Sequence, residues 1–312
     1  MPLSKQIYVD KTLSNISLAY KATGLIADIL SPRVPVMQET GLYFVYTKDS
    51  LILPETFRAN GASSNESTFY MSTQSYSLHQ HTLKELVTDR DRSNADPAIR
   101  LEADVTENLT EKILLRKEVD LATLCGSAAN WANTTSLTST FAWSANTTLS
   151  NPISFVDSAA SSVALHAGVL PNTVALDYRT FNAAKEHISV VDRIKYTSPD
   201  SVTAPMLAKL FNVDRVLVAS GIRNTGQELV YTTTADAWIW TDMAFVAYIA
   251  PSPSLRTPSA IYQLTKNEFG NPFKVKKWRE EEREGDFVEV STMYQHKVIA
   301  SDAAYLIVNT CQ

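Results

Sequence analysis

Residues 96–126 read DPAIRLEADVTENLTEKILLRKEVDLATLCG, and this stretch decides the fold. Asp96 can accept hydrogen bonds from free backbone amides, and Pro97 suits the first helical position, where no N–H is needed. An apolar stripe then recurs, mostly every four residues, at Leu101, Val105, Leu109, Ile113, Val119 and Ala122. The pattern therefore predicts a helix over residues 97–125, roughly 40 Å long.

Gly126 follows this run at the place where helices often end on a left-handed residue, so it is predicted to end the helix in that conformation. Charged side chains, with Arg116 and Lys117 among them, are expected on the other faces. A helix this long with one narrow apolar stripe suits a strut across a flat domain or between subunits. An ordinary core helix of a soluble enzyme is the alternative.

Composition limits the possible function classes. Of the 312 residues, 45% are hydrophobic and 20% are charged, as in an ordinary globular protein. The net charge of −5 argues against a general nucleic-acid binder that works by neutralising phosphates. No apolar run of about 18 residues and no secretory signal are found, so no membrane association is expected. Two cysteines provide no disulfide framework, which favours an intracellular assembly site.

The N-terminal residues 1–38 lack a strong single period. Gly24 interrupts a short helical pattern, and Pro32 and Pro35 favour an extended path. Such a segment cannot bury itself well, so we expect an N-terminal arm that lies on other subunits.

Residues 39–88 predict an extended hairpin loop. Two alternating runs, 40–53 and 69–81, flank a polar tip rich in Asn, Ser and Gly. An isolated hairpin is marginal in water, so its aromatic faces are expected to need a neighbouring subunit. Residues 83–96 are interpreted as a charged connector into the long helix.

The C-terminal half is organised in three parts. Residues 89–151 contain the long helix and a Ser/Thr/Ala/Asn-rich loop whose aromatic residues are expected to pin it. Residues 152–265 alternate helices and strands and predict a compact α/β subdomain. Residues 266–312 predict a hairpin, 273–279 with 286–290, and then a final strand pair that packs back on the long helix.

The chain resembles the major capsid proteins of tailed bacteriophages with the Hong Kong 97-type capsid fold. The order of segments is similar, and several phrases are similar to family members: DRDRSNADP at 89–97, LLRKEVD at 114–120, PNTV at 171–174, DRIKY at 192–196 and FGNP at 269–272. The resemblance implies an α+β fold with an N-terminal arm, an extended β-hairpin loop, a peripheral domain with a long spine helix, and an axial α/β domain.

The resemblance also implies function and partners. The expected protein self-assembles as hexamers and pentamers into an icosahedral shell around packaged double-stranded DNA, without sequence-specific binding. It would be assembled in the host cytoplasm and reside in the virion. A portal and decoration proteins are expected as partners. Some family members carry a long cleaved scaffolding segment, whereas here only about 95 residues precede the helix, so a separate scaffolding protein is our expectation.

Catalysis and cofactor binding are not expected. His79 and His81 could face one side of a strand, but a zinc site needs further ligands. Cys125 and Cys311 are interpreted as buried, inert thiols. His187 is interpreted as a cation at a helix C-terminus. Nucleophile-elbow, zincin and P-loop motifs are absent from the sequence, and the run Glu280–Glu282 is interpreted as a solvated turn.

Two interpretations of the basic cluster around Trp278 stay open. It could contact acidic surfaces of neighbours or DNA, or it could belong to a hairpin balanced by its own glutamates. Lys48 and Asn60 lie in the hairpin loop, but nothing around them marks a covalent cross-link. The residues expected to contact other subunits are Phe57, Phe69, Tyr70, Tyr76, Arg90, Arg92, Lys276, Trp278 and Arg279. Another phage tail or head-associated protein, or an enzyme using residues 152–265, are the alternatives.

Overall fold

A computed structural model of the chain describes residues 23–45, 52–61, 63–66, 72–95, 101–195, 202–226, 235–253, 259–266 and 272–311. The α-helices are α1 (Ala27–Leu30), α2 (Asp89–Asn94), α3 (Leu101–Gly126), α4 (Pro152–Ala167), α5 (Tyr178–Glu186), α6 (Ile188–Ile194) and α7 (Ala204–Leu210). The strands are β1 (Arg33–Pro35), β2 (Thr40–Val45), β3 (Ser72–Ser77), β4 (His79–Thr88), β5 (Asn133–Ser136), β6 (Thr173–Asp177), β7 (Arg215–Ala219), β8 (Ile222–Asn224), β9 (Asp236–Trp238), β10 (Met243–Ala247), β11 (Ile261–Thr265), β12 (Phe273–Glu280), β13 (Gly285–Val298) and β14 (Ala304–Val308).

The long helix predicted from the sequence is α3, which has 26 described residues. The predicted start at Asp96 and Pro97 lies outside the described residues. The predicted left-handed ending at Gly126 is wrong, because Gly126 does not have a positive φ. Side chains close this end instead: Trp131 Nε1 donates to the Cys125 carbonyl and Asn130 Nδ2 to the Leu124 carbonyl, both at 2.9 Å. A Cβ on Gly126 would approach Met243 Cε, the flexible end of that side chain, to 3.0 Å.

A five-stranded sheet lies against α3. Its order is β1-β11-β13-β12, and β4 also pairs with β13. Leu109 and Ile113 of the helix pack on Val290 of β13. The predicted hairpin is confirmed as β12 and β13, joined by a 3-10 turn over Glu281–Arg283. The predicted charged connector is wrong, because β13 offers a free edge on which residues 79–88 form the ten-residue strand β4.

A second five-stranded sheet has the order β5-β14-β10-β6-β7. Alternate residues of β10 enter different cores, since Ala244 and Val246 face the cluster containing α4 to α7, whereas Phe245 faces the cluster containing the end of α3. The expected final strand pair is wrong: β14 does not pair with β13 but joins β10 and β5. Residues 266–312 are therefore divided between the two sheets, because the apolar β14 pairs between β5 and the central strand β10 of the second one.

The alternation of helices and strands predicted for residues 152–265 is confirmed in the described part of that range, and the helix ends follow ordinary capping chemistry. Asn151 Oδ1 accepts from the Ile153 amide, and Gly168 ends α4 with φ +71°. The Asp177 carboxylate accepts from the Arg179 and Thr180 amides at the start of α5. In the preceding loop, Trp131 and Trp143 are buried, so aromatic residues pin it as expected.

The N-terminal segment differs from the expectation. Residues 23–38 are built into their own chain: Ile26 and Leu30 are buried against α3 and the second sheet, and β1 pairs in parallel with β11. Residues 23–38 are thus supported within their own chain, because the Glu118 carboxylate of α3 and the edge of β11 bind their backbone. Residues 1–22 lie outside the described residues. No helix of the described residues is long and apolar enough to cross a bilayer.

Candidate assembly surface

The hairpin of β2 and β3 anchors a long excursion, which we define as residues 40–77. The two strands pair antiparallel from Thr40–Ser77 to Val45–Ser72. Tyr43 and Tyr76 are buried at this base, where the Tyr43 hydroxyl donates to Gln74 Oε1 at 2.7 Å and the Tyr76 hydroxyl to the Gln38 carbonyl at 3.3 Å. The excursion is thus attached to the body by its own side chains. Tyr76, expected as an intersubunit contact, packs within its own chain.

The outer part of the excursion is apolar but uncovered. Ile52, Leu53 and Phe57 are 68%, 89% and 78% exposed. Local hydrogen bonds shape this loop, since Asn65 Nδ2 donates to the Glu55 carbonyl at 2.7 Å and the Phe57 amide to Glu55 Oε1 at 2.9 Å. Exposed apolar groups on a locally ordered loop are typical of an interaction site. Phe69, Tyr70 and Lys48 lie outside the described residues.

Six charged residues form an acid–base cluster where α2, the first turn of α3 and the β12–β13 hairpin meet. Its members are Asp89, Arg92, Glu102, Lys277, Arg279 and Asp286. Arg279 binds Asp89 through two nitrogens at 3.0 and 2.6 Å, and Arg92 donates to Asp286 at 2.7 Å. The hydrogen bond from Arg279 holds the pKa of the Asp89 carboxyl below its ordinary value.

The basic strand around Trp278 is interpreted either as a contact for neighbours or DNA or as part of a charge-balanced hairpin. The cluster partly favours the second interpretation. Its cations are balanced, but by carboxylates of α2, α3 and β13 more than by the adjacent Glu280–Glu282 run. Arg92 of α2 and Arg279 of β12 therefore hold α2 to the β12–β13 hairpin. Arg90 is exposed on α2, and Lys276 lies 3.7 Å from Glu289 across the strands.

Trp278 lies on the sheet face that points away from α3. It stacks on Phe287 with ring centroids 5.5 Å apart, and it is 37% exposed. The Lys84 ammonium lies 4.6 Å from the Phe287 ring centroid and 5.9 Å from that of Trp278. This aromatic and basic patch can accept a further flat or acidic surface.

The sequence and the structure of the whole chain are similar to those of known phage proteins. No protein-family model matches the chain. The major capsid protein of Burkholderia phage BcepMu is 27% identical over 313 residues, covering 98% of this chain and 97% of that protein. A crystal structure of a phage-related protein from Bordetella bronchiseptica RB50 matches with TM-score 0.74 and 25% identity, covering 96% and 97% of the two chains. The capsid structure of cyanophage P-SCSP1u matches with TM-score 0.66 and 11% identity, covering 93% and 89%.

The chain is similar to phage major capsid proteins over nearly its whole length. The resemblance predicted from the sequence is therefore confirmed. Capsid proteins are structural proteins rather than enzymes, which agrees with the non-enzymatic interpretation.

One serine–histidine pair in the described part of the chain is buried. Ser150 Oγ lies 2.9 Å from His187 Nε2, and His187 Nδ1 lies 2.8 Å from Ser189 Oγ. Ser150 and His187 are completely buried, so no substrate reaches this pair. The expectation of a cationic His187 is wrong, because burial lowers the pKa of its imidazole. His81 stacks on Tyr294, and the described residues contain no group of three metal-ligating side chains.

Sequence reasoning missed the most constrained polar site of the described chain, which we call the junction: Glu118 with Ile26, Ala27 and Trp240. The fully buried Glu118 carboxylate accepts from the Ile26 amide at 3.0 and 3.1 Å, the Ala27 amide at 2.8 Å and Trp240 Nε1 at 2.6 Å. Burial raises the pKa of Glu118, and these donors act in the opposite direction.

Lys117 is also buried, next to the junction, and pairs with Asp28. Burial lowers the pKa of the Lys117 ammonium. The expectation that Lys117 lies on a polar face is wrong. A signal was available in the spacing, because residue 117 continues the four-residue repeat of Leu109 and Ile113 and is followed by Leu121.

Proposed function

We propose that this chain is a major capsid subunit of the Hong Kong 97 type, which assembles as pentamers and hexamers into an icosahedral shell around double-stranded DNA. Support comes from the full-length similarity to phage capsid proteins and from the long helix α3 between two sheets. In this proposal residues 89–151 and 266–312 form the peripheral domain and residues 152–265 the axial domain. The sheets adjust these bounds, because β11 pairs within the first sheet, whereas β5 and β14 belong to the second.

One observation carries the proposal: the excursion is anchored in its own chain but leaves Ile52, Leu53 and Phe57 uncovered. Covering a large apolar side chain contributes about 2 kcal/mol. Repeated by symmetry, such modest contacts close a shell from identical subunits. We propose that the excursion binds another copy of the chain. The face around Trp278, Lys84 and Lys276 of that copy offers apolar and basic groups for this contact.

Other partners follow from the same proposal. A separate scaffolding protein would guide assembly in the host cytoplasm, and a portal and decoration proteins would complete the virion. Packaged DNA would be enclosed without sequence readout.

Negative-stain electron microscopy with size-exclusion mass tests the proposal. Closed polyhedral particles, or hexamers and pentamers, are expected from the purified chain with its scaffold. Phe57→Ser should weaken each contact about 30-fold, because about 2 kcal/mol of burial is lost. The matched variant Phe57→Leu keeps an apolar side chain and should assemble. Equal assembly by Phe57→Ser and the wild type would contradict the role of the excursion.

A further inference from the structure

Residues 26–36, which we call the strap, lie on α3 and the first sheet just before the chain enters the excursion. Ile26 and Leu30 are buried, and β1 pairs in parallel with the edge of β11. The Val36 amide donates to the Thr265 carbonyl at 2.8 Å. The strap contains one helical turn and three strand residues, and small elements of this kind open at a lower free-energy cost than the whole fold.

Polar side chains of α3 and β13 hold the strap in place. Its first two amides donate to the Glu118 carboxylate at the junction. Asp28 pairs with the buried Lys117 ammonium. Ser31 Oγ lies 3.0 Å from His296 Nδ1. Of these partners, His296 is the one whose ordinary pKa lies between 5 and 8, so the strap rests on a group that can respond to mild acid.

His296 is 7% exposed and lies beside both the strap and α3. The charged and titratable groups that face it are Asp28 of the strap, Lys117 of α3, His81 of β4 and Tyr294 of β13. Burial lowers the pKa of His296 to about 3, the Lys117 ammonium acts in the same direction, and Asp28 opposes it. The docked strap therefore encloses a neutral imidazole.

Protonation of His296 opposes docking of the strap. In the docked state the imidazolium would be buried near the Lys117 ammonium, whereas in the open state water would reach the ring and return its pKa towards 6.5. The open state thus binds the proton first. Docking is fully present above about pH 6.5 and is lost as the pH falls from there towards 3.

The other titratable groups of this site behave differently. Burial acts to raise the pKa of Asp28, but hydrogen bonds from its two basic partners outweigh burial and lower that pKa, so Asp28 stays charged over most of this range. Burial raises the pKa of Glu118, so its protonation favours the docked state as the pH falls. Burial lowers the pKa of His81, which packs on Tyr294. Variants of the two histidines therefore separate their contributions.

We propose that residues 26–36 form an acid-released strap, which a neutral His296 keeps docked. The strap leads directly into the excursion, since Val36 shares a core cluster with Tyr43 and Tyr76 at the base of the excursion. Release would therefore also loosen the attachment of the excursion to the body. The inference concerns a single chain and does not depend on shell formation, so its failure leaves the proposed function intact.

Hydrogen–deuterium exchange of the unassembled full chain between pH 6.5 and 4.5 tests the strap. Protection factors, which remove the intrinsic effect of pH on exchange, are compared for the strap and for β10 in the second sheet. In the wild type, protection of the strap should lie at least about tenfold below that of β10, because the strap opens locally. It should fall about tenfold per pH unit, since one proton is taken up on opening.

His296→Gln keeps a polar side chain opposite Ser31 but cannot take up the proton, so protection of the strap should become independent of pH. The matched control His81→Gln removes the imidazole that packs on Tyr294 and should keep the wild-type fall. The comparison of the strap with β10 in the wild type decides without any variant. Equal protection of the two regions at every pH, strap protection that does not change with pH, or an unchanged fall in His296→Gln would each overturn the proposal.

Discussion

At the junction, the buried Glu118 carboxylate receives hydrogen bonds from two backbone amides and one indole of its own chain. At the outer excursion, Phe57 is 78% exposed and no described side chain of its own chain covers it. The first region contains a polar group in an apolar core, and the second contains apolar groups in water. Both are unfavourable in isolation, but only the junction is compensated within the chain. Under the proposed function, the comparison separates what one subunit completes alone from what other copies would complete.

The largest effect on folding is expected from Glu118→Gln. The amide keeps one acceptor oxygen but turns an NH₂ group towards backbone donors, so buried N–H groups lose their partners. We expect the free energy of unfolding to fall by about 3 kcal/mol in urea denaturation. Glu107→Gln, on an exposed part of the same helix, is the matched control and should change it little. Equal free energies of unfolding for the two variants would contradict the claim that the hydrogen bonds of the junction stabilise the fold.

A comparable effect is expected from pH through His296, a buried residue of β13. Burial lowers the pKa of His296 to about 3, with the Lys117 ammonium acting in the same direction. The unfolded chain takes up this proton near pH 6.5, whereas the folded chain does not, so stability is lost as the pH falls from 6.5 towards 3. The expected slope is about 1.4 kcal/mol per pH unit.

His296→Gln should remove this slope, whereas His79→Gln, at an exposed position on β4, should keep it. Urea denaturation at several pH values between 6.5 and 4 measures the difference. An unchanged slope in His296→Gln would show that other groups dominate acid unfolding.

The smallest effect is expected at the acid–base cluster. Arg279→Gln removes a two-nitrogen contact with Asp89, but the pair is exposed and screened by water. We expect a slight decrease in Tm that disappears in about 1 M salt. A large decrease in Tm that persists in salt would contradict this expectation. It would show that the cluster, like the junction, contributes strongly to the stability of the single chain.

Local patterns were sufficient for the elements with strong periodicity. The long helix, the β12–β13 hairpin and helices α4, α5 and α7 follow from spacing, capping residues and turn chemistry. The cores they form required long-range information. The pairing of β14 with β10 depends on residues about sixty positions apart, and β4 exists because β13 offers it an edge.

The assembly surface was predictable only in outline. An apolar excursion could be inferred from alternation, but the inward position of Tyr76 depends on the packing of β1 and β11. The junction could not be inferred from Glu118 alone, because a glutamate on a helix is usually solvated. Its burial depends on the amides of Ile26 and Ala27, more than ninety residues away.

Deletion of residues 58–66 tests the separation of the two regions most directly. It removes the tip of the excursion and leaves the junction and both sheets intact. We expect a free energy of unfolding within about 1 kcal/mol of the wild type and no closed shells in electron micrographs. Normal shells from the deleted chain, or a chain that no longer folds, would contradict the division between a self-sufficient body and an excursion completed by other copies.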